Sequence, residues 1–272
     1  MHRPLIATRE ARPGSAHAEA NSSGFADVLG VRISAVDLKS AIRFAEDWIA
    51  AERPGYACFT GVHGVMEAQR DPELRRILNE ACLNAPDGMP MTWVGRLQGF
   101  RRMDRVFGPD FMAGMCELSA DRGFRHFLYG GRPGVAQLLK ESLERRFPGL
   151  SIVGTYTPPF RPLTAHEAQD LVASVQSSQP HILWVGLSTP KQERWMAEFV
   201  NRLNVPLLAG VGAAFDYHTG VIRDCPRWMK AAGLQWLHRL MQDPQRLWRR
   251  YLRNNPAFVW HIAKQLTGFR PK

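Results

Sequence analysis

Asp87 stands before Gly88 in Asn84-Ala-Pro-Asp-Gly-Met-Pro90. A carboxylate on such a loop can take a proton from a hydroxyl, although Asp-Gly is also the commonest turn pair. Gly130-Gly131-Arg-Pro-Gly134 carries a predicted strand into a predicted helix, where free backbone N–H groups attract phosphate. Its spacing departs from G-x-G-x-x-G, so a plain tight turn stands beside the nucleotide-binding reading. Pro190-Lys191-Gln192-Glu193 opens a third segment. Pro and Glu there are ordinary first-turn residues, which leaves Lys191 and Gln192 to hold a phosphate or a sugar hydroxyl. Toward the C-terminus, Arg223, Arg227, Arg239, Arg246, Arg249, Arg250 and Arg253 alternate with Trp and Leu. Guanidinium forks clamp pyrophosphate while aromatics sit at a lipid interface; the other reading is a solvated helix packed by its Trp and Leu residues.

These residues need a frame that brings them together. Short apolar runs alternate with amphipathic stretches: strands over 56–62, 124–129, 151–155, 181–187 and 206–211, and helices over 63–81 (interrupted at Asp71-Pro72), 135–147, 164–177 and 190–203. Ser34-Ala-Val-Asp37 reads as a capping box opening a helix, and Thr164 with Glu167 as another. Asp87 is expected on a loop between two helical segments. The alternation predicts an α/β fold, a mostly parallel Rossmann-like sheet flanked by helices. Ligands bind such sheets beyond the carboxyl ends of the strands. Thr60-Gly-Val-His63, Gly130–Gly134, Gly186–Glu193 and Gly210–Asp216 each follow a predicted strand and are expected on that one rim.

Charge divides the chain unevenly. The net charge is +10, and residues 223–272 hold eleven Lys/Arg against two Asp/Glu and four of the eight Trp. We therefore expect a disordered polar leader (1–24), an α/β core (25–222) and a basic, Trp-rich helical appendage (223–272) that meets an anionic surface. No apolar run reaches the roughly 18 residues of a membrane span, and the leader lacks a secretory apolar segment. Cys58, Cys82, Cys116 and Cys225 have no metal-ligand spacing. Nucleic acid is the rival partner for the tail, but helix-turn-helix, RRM and zinc-finger patterns are absent from the sequence. A nucleotide-dependent oxidoreductase is the other rival, weakened by the broken glycine fingerprint.

Read in order, Pro86–Pro90, Arg105–Asp110, Phe127–Gly131, Val185–Glu193, Gly210–Asp216 and Arg223–Tyr251 resemble the WecG/TagA/CpsF family of bacterial glycosyltransferases, in wording closest to exopolysaccharide members. The resemblance implies an inverting transfer from a UDP-sugar to an undecaprenyl-diphosphate-linked sugar, with no metal or other cofactor. It places the enzyme on the cytoplasmic face of the plasma membrane, with a capacity for self-association and no nucleic-acid partner. It implies Asp87 as catalytic base, and Thr60, Gln192, Arg239, Arg246 and Arg249 as substrate-binding residues. His63, Gly130, Gly131, Lys191 and Asp216 lie within or beside the same motifs and complete the expected binding set. Two positions depart from the family: Val62 stands where Asn is usual, and Gln235 where Glu is usual. The first leaves the donor open between a glucose and an N-acetylmannosamine type.

Overall fold

The computed structural model describes residues 24–268, without the side chains of Arg227, Ala231 and Arg246. Apart from Gly24, the polar leader expected over 1–24 lies outside the described residues. An antiparallel hairpin comes first, β1 (Phe25–Val28) and β2 (Val31–Ser34). Then follow α1 (Leu38–Ala50), β3 (Gly55–Thr60), α2 (Val62–Ala68), α3 (Pro72–Glu80), β4 (Leu83–Pro86), α4 (Met89–Leu97) and α5 (Gly108–Arg122). The second half runs β5 (Arg125–Gly130), α6 (Val135–Arg146), β6 (Ser151–Tyr156), α7 (Ala165–Ser178), β7 (Ile182–Gly186), α8 (Lys191–Leu203), β8 (Leu207–Gly210) and α9 (Ala214–His218). Three helices close the chain: α10 (Arg227–Ala231), α11 (Gln235–Gln242) and α12 (Pro244–Thr267).

Strands β3 to β8 form one parallel sheet in the order β4-β3-β8-β7-β5-β6. Every residue of β3 and β8 is buried, as expected of strands covered on both faces. Alternate residues feed two cores. Tyr56, Cys58, Phe127, Tyr129, Leu183 and Val185 join the one capped by α2, α3, α7 and α8. Ala57, Phe59, Leu128, Ile182 and Trp184 join the one beneath α1, α5 and α6. This period of two is the pleat itself.

Two expectations are corrected. Helix α1 is capped by Asp37, not Ser34: Asp37 accepts from the Ser40 N–H (2.7 Å) and Ser40 closes the capping box. Ser34 instead ends β2, where its hydroxyl accepts the Asn84 N–H (3.1 Å). The segment before Asp87 is a strand, β4, rather than a loop. Pro86 is tolerated there because β4 is the edge strand of the sheet and Pro86 its last residue. The hairpin, over which no element was expected, turns on Leu29 and Gly30, both at positive φ; four-residue strands show too little alternation to be read. The capping box of Thr164 and Glu167 is present at the start of α7.

The C-terminal segment breaks at Asp243-Pro244, so α11 and α12 are separate helices. One face of α12 is docked on the core through Leu247, Asn254, Phe258 and Ile262, all buried. Gln265 ties its far end to the β1–β2 turn, accepting the Leu29 N–H (2.9 Å) and donating to the Asp27 carbonyl (2.8 Å).

Candidate active site

Strands β3, β4, β5, β7 and β8 all deliver their carboxyl ends to one rim, and the expected motifs stand on it. Asp87 leaves β4 with its N–H donating to the Thr60 carbonyl at the end of β3 (3.0 Å). The neighbouring loops approach so closely that a Cβ on Gly61 would stand 2.5 Å from the Asp87 carbonyl oxygen. The Asp87 carboxyl is partly buried, and burial pushes it up to about 6 against the opposing pull of Arg105 and then Arg250, with Asp110 adding to the rise. A carboxylate so placed is mostly ionised at neutral pH, yet more basic than an exposed one.

Cations and a phenol surround it. Arg105, largely buried, is held by the Gln235 side chain from α11, by Asp110 (3.3 Å) and over the Phe107 ring (4.9 Å). Tyr217, on α9, is pushed up to about 12, chiefly by burial, and feels the charges of Arg239 and Asp87. The Arg239 guanidinium lies over its ring at 5.4 Å. Arg250, on the first half of α12, acts on both Asp87 and His63. The loop before α5, through Arg105, and α12, through Arg250, thus bring positive charge to the carboxylate at the end of β4.

His63, in the first turn of α2, is brought down to about 4, first by burial and then by Arg250, so its ring is neutral at pH 7. Arg70 donates to Asn254 Oδ1 (3.2 Å), which turns the Asn254 amide N–H toward His63 Nδ1 (3.1 Å). Gln192, buried at the start of α8, donates to the Gly210 carbonyl (2.8 Å) and to Glu193 (3.1 Å). Its Oε1 faces Gly212 and has no partner among the described residues. Lys191 beside it is exposed. Asp216 faces Arg132 at 4.0 Å across the β8 and β5 loops. Arg249 is exposed and lies over the Trp248 ring (5.3 Å); the Arg246 side chain is outside the described residues.

Gly130 and Gly131 serve a close approach. A Cβ on Gly130 would stand 2.6 Å from the Gly186 carbonyl oxygen, at φ 127°. The Gly131 N–H is already donated to that same oxygen (3.1 Å). Gly130→Ala is expected to cost about 2–4 kcal/mol of folding stability, from backbone strain plus overpacking, read as a lower urea midpoint at unchanged slope.

Residues 26–272 match the model of the glycosyl transferase WecG/TagA/CpsF family. The chain belongs to that family. It is a glycosyltransferase, and the rim just described is where a WecG/TagA/CpsF enzyme of this sheet order can hold its ligands. Among curated proteins it is similar to the N-acetylglucosaminyldiphosphoundecaprenol N-acetyl-beta-D-mannosaminyltransferase of Bacillus spizizenii, 27% identical over 198 residues, 73% of this chain and 74% of that one.

Sequence reasoning missed Arg105, Tyr217, Glu193 and Asn254. Arg105 and Glu193 lie inside quoted motifs, but nothing local distinguishes an Arg that turns toward Asp87 from one in solvent. Glu193 passed as a first-turn acid and is in fact 1% exposed. Tyr217 lies just past the Asp216 motif, and Asn254 in a tail read for its charge.

Proposed function

We propose that the protein transfers a sugar from a UDP-sugar to an undecaprenyl-diphosphate-linked sugar by a single inverting displacement, without a metal. The observation that carries this reading is Asp87, a carboxyl at the strand rim, pushed up to about 6 by burial and within reach of the charges of Arg105 and Arg250. Asp87 takes the proton from the acceptor hydroxyl as the oxygen attacks the anomeric carbon; UDP departs from the opposite face. The charge that develops on the diphosphate is met by cationic side chains, for which Arg105 and Arg250 act on the base, Arg239 lies over the Tyr217 ring and Lys191 is exposed at the start of α8. Thr60, His63, Gly130, Gly131, Gln192 and Asp216 are the residues of this reading that serve the donor, and Arg246 and Arg249 those that serve the lipid diphosphate. The activity that names the Bacillus relative supports an N-acetylmannosamine donor, and the departure at Val62 keeps glucose in the panel.

Residues 223–272 form the appendage of this reading, lying on an anionic leaflet. Trp248, Leu252, Val259 and Leu266 are exposed and recur at spacings of four and seven, which puts them on one line of α12. Arg249 and Arg253 are exposed on one flank of that line, whereas Arg250 belongs to the face that acts on Asp87 and His63. Among the described residues, no helix is long and apolar enough to cross a membrane.

The test is transfer from a panel of UDP-sugars to a short-chain lipid-diphosphate sugar, with and without EDTA. The expected result is one strongly preferred donor and a rate that EDTA changes by less than about twofold. Loss of activity in EDTA with recovery on added divalent cation refutes the metal-free displacement, and a folded enzyme that accepts no donor refutes the substrate class.

A further inference from the structure

Glu193 is where the rim departs most from ordinary surface chemistry. Acids in a helix's first turn normally stay in water, where they complement the dipole. This carboxyl is 1% exposed, and its hydrogen bonds are to neutral groups: Oε1 accepts from the Thr189 hydroxyl (2.8 Å) and from the Gln192 amide (3.1 Å). Burying a carboxyl away from any cation costs several kcal/mol unless it is neutral, and burial does push Glu193 up.

Its two partners lead in different directions. Gln192 continues to the Gly210 carbonyl (2.8 Å), the last residue of β8, where the Gly210–Asp216 loop begins. Thr189 leads the other way, toward the His63 ring, whose protonated form its backbone favours. That ring accepts the Asn254 amide of α12 (3.1 Å), and Asn254 accepts from Arg70 (3.2 Å). A neutral imidazole that accepts at Nδ1 carries its proton on Nε2, so the ring can accept from α12 and donate toward Thr189 at once. The polar chain therefore leads from the docked C-terminal helix, under the rim, to the end of β8.

We propose that Glu193 is a positioning residue for sugar transfer, joining the docking of α12 to the placement of Gln192 and the Gly210–Asp216 loop through Asn254, His63 and Thr189. The proposal rests on the transfer reaction assigned to this rim. Glu193 touches no substrate; it fixes the orientation of the Gln192 amide, whose Oε1 is left facing the loop, and it transmits whether Arg250 and its helix are in place.

The experiment combines kinetics with backbone hydrogen exchange on the full chain. Glu193→Leu and Thr189→Val cut the chain near the rim, Asn254→Leu cuts it at α12, and Glu193→Gln preserves a neutral group of the same shape. We expect kcat/KM to fall 10- to 100-fold in Glu193→Leu and about tenfold in Asn254→Leu, and to stay within threefold of wild type in Glu193→Gln. The double variant Glu193→Leu/Asn254→Leu should be no more than threefold below the worse single one, because both break the same chain. Amides of residues 250–262 should exchange at least tenfold faster in Glu193→Leu and Thr189→Val but not in Glu193→Gln. Multiplicative kinetic effects, a Glu193→Gln enzyme as poor as Glu193→Leu, or unchanged exchange in α12 overturns the proposal. If Glu193→Leu does not fold, the isosteric Thr189→Val decides alone. If the wild type transfers no sugar, the reaction assigned above fails, and the exchange measurements still decide whether the rim and α12 are coupled.

Discussion

Replacing Asp87 with Asn should lower kcat by about 10²–10⁴-fold, the usual worth of a positioned general base, while leaving the protein at least as stable as wild type. Asn keeps the shape and cannot take the proton. The backbone bond from residue 87 to Thr60 survives, as does the contact of Gly61 with the residue 87 carbonyl. The stability half follows from linkage. Burial raises the Asp87 carboxyl from 3.8 to about 6, so folding favours its protonated form. That contribution is fully present below the unfolded value and is lost as pH rises through about 6. At pH 8 the ionised carboxyl is therefore a cost, at most about 3 kcal/mol and less for the part that water reaches. A melting temperature for Asp87→Asn equal to or above wild type at pH 8, beside the lost rate, identifies a base rather than a structural residue. The same value sets the pH profile. kcat/KM for wild type should fall about tenfold per unit as pH drops below about 6, because the base must be ionised to accept a proton. A rate that is flat from pH 5 to 8, or a variant that retains more than a tenth of the activity, removes Asp87 from that role.

How far the sequence carried this reading depends on the range of the signal. The strands at 56, 124, 181 and 206 were legible because apolar runs buried on both faces have few alternatives, the half-buried edge strand at 151 because β-branched residues follow the α6 helix, and the rim followed from the rule that such sheets bind ligands at their carboxyl ends. Thr60, His63 and Gln192 could be placed on that rim from the sequence, whereas Asp87, expected on a loop between two helical segments, could not. Strand β4 was not legible: Asn84 and Pro86 are depleted in strands, and only pairing with β3 and the cover of the hairpin make it one. The environment of Asp87 was also hidden. Arg105 is 18 residues away and Arg250 is 163 away in sequence, and their convergence depends on how α10, α11 and α12 fold back. Glu193 shows the converse: local rules explained it completely as a helix-start acid, yet the close packing of β3, β8 and α8 around it makes it a buried hub.

The exposed line on α12 predicts a separation between chemistry and membrane binding. Trp248 is 45% exposed, and Leu252 and Val259 are each 67% exposed. Changing all three to Ser leaves the docked face (Leu247, Asn254, Phe258 and Ile262) untouched. It also leaves Arg249, Arg250 and Arg253 in place, so the charge is constant and only the apolar contact is lost. Partial immersion of each side chain contributes about 1 kcal/mol. Together the loss is about 3 kcal/mol, roughly a hundredfold in partition onto vesicles. Sedimentation with phosphatidylglycerol vesicles should show that drop. Transfer to a long-chain lipid acceptor embedded in vesicles should fall in parallel, whereas transfer to a short-chain, water-soluble acceptor should stay within about twofold. Reversing the arginines tests the other component: Arg249→Glu with Arg253→Glu should weaken binding to anionic vesicles and have little effect on neutral ones, since each basic side chain contributes about 1 kcal/mol only where the surface is charged. Equal losses on both acceptors would mean that this face supports the rim rather than the membrane. In that case α12 would be a lid over the site, held by Asn254 and carrying Arg250, and its exposed apolar line would need another partner.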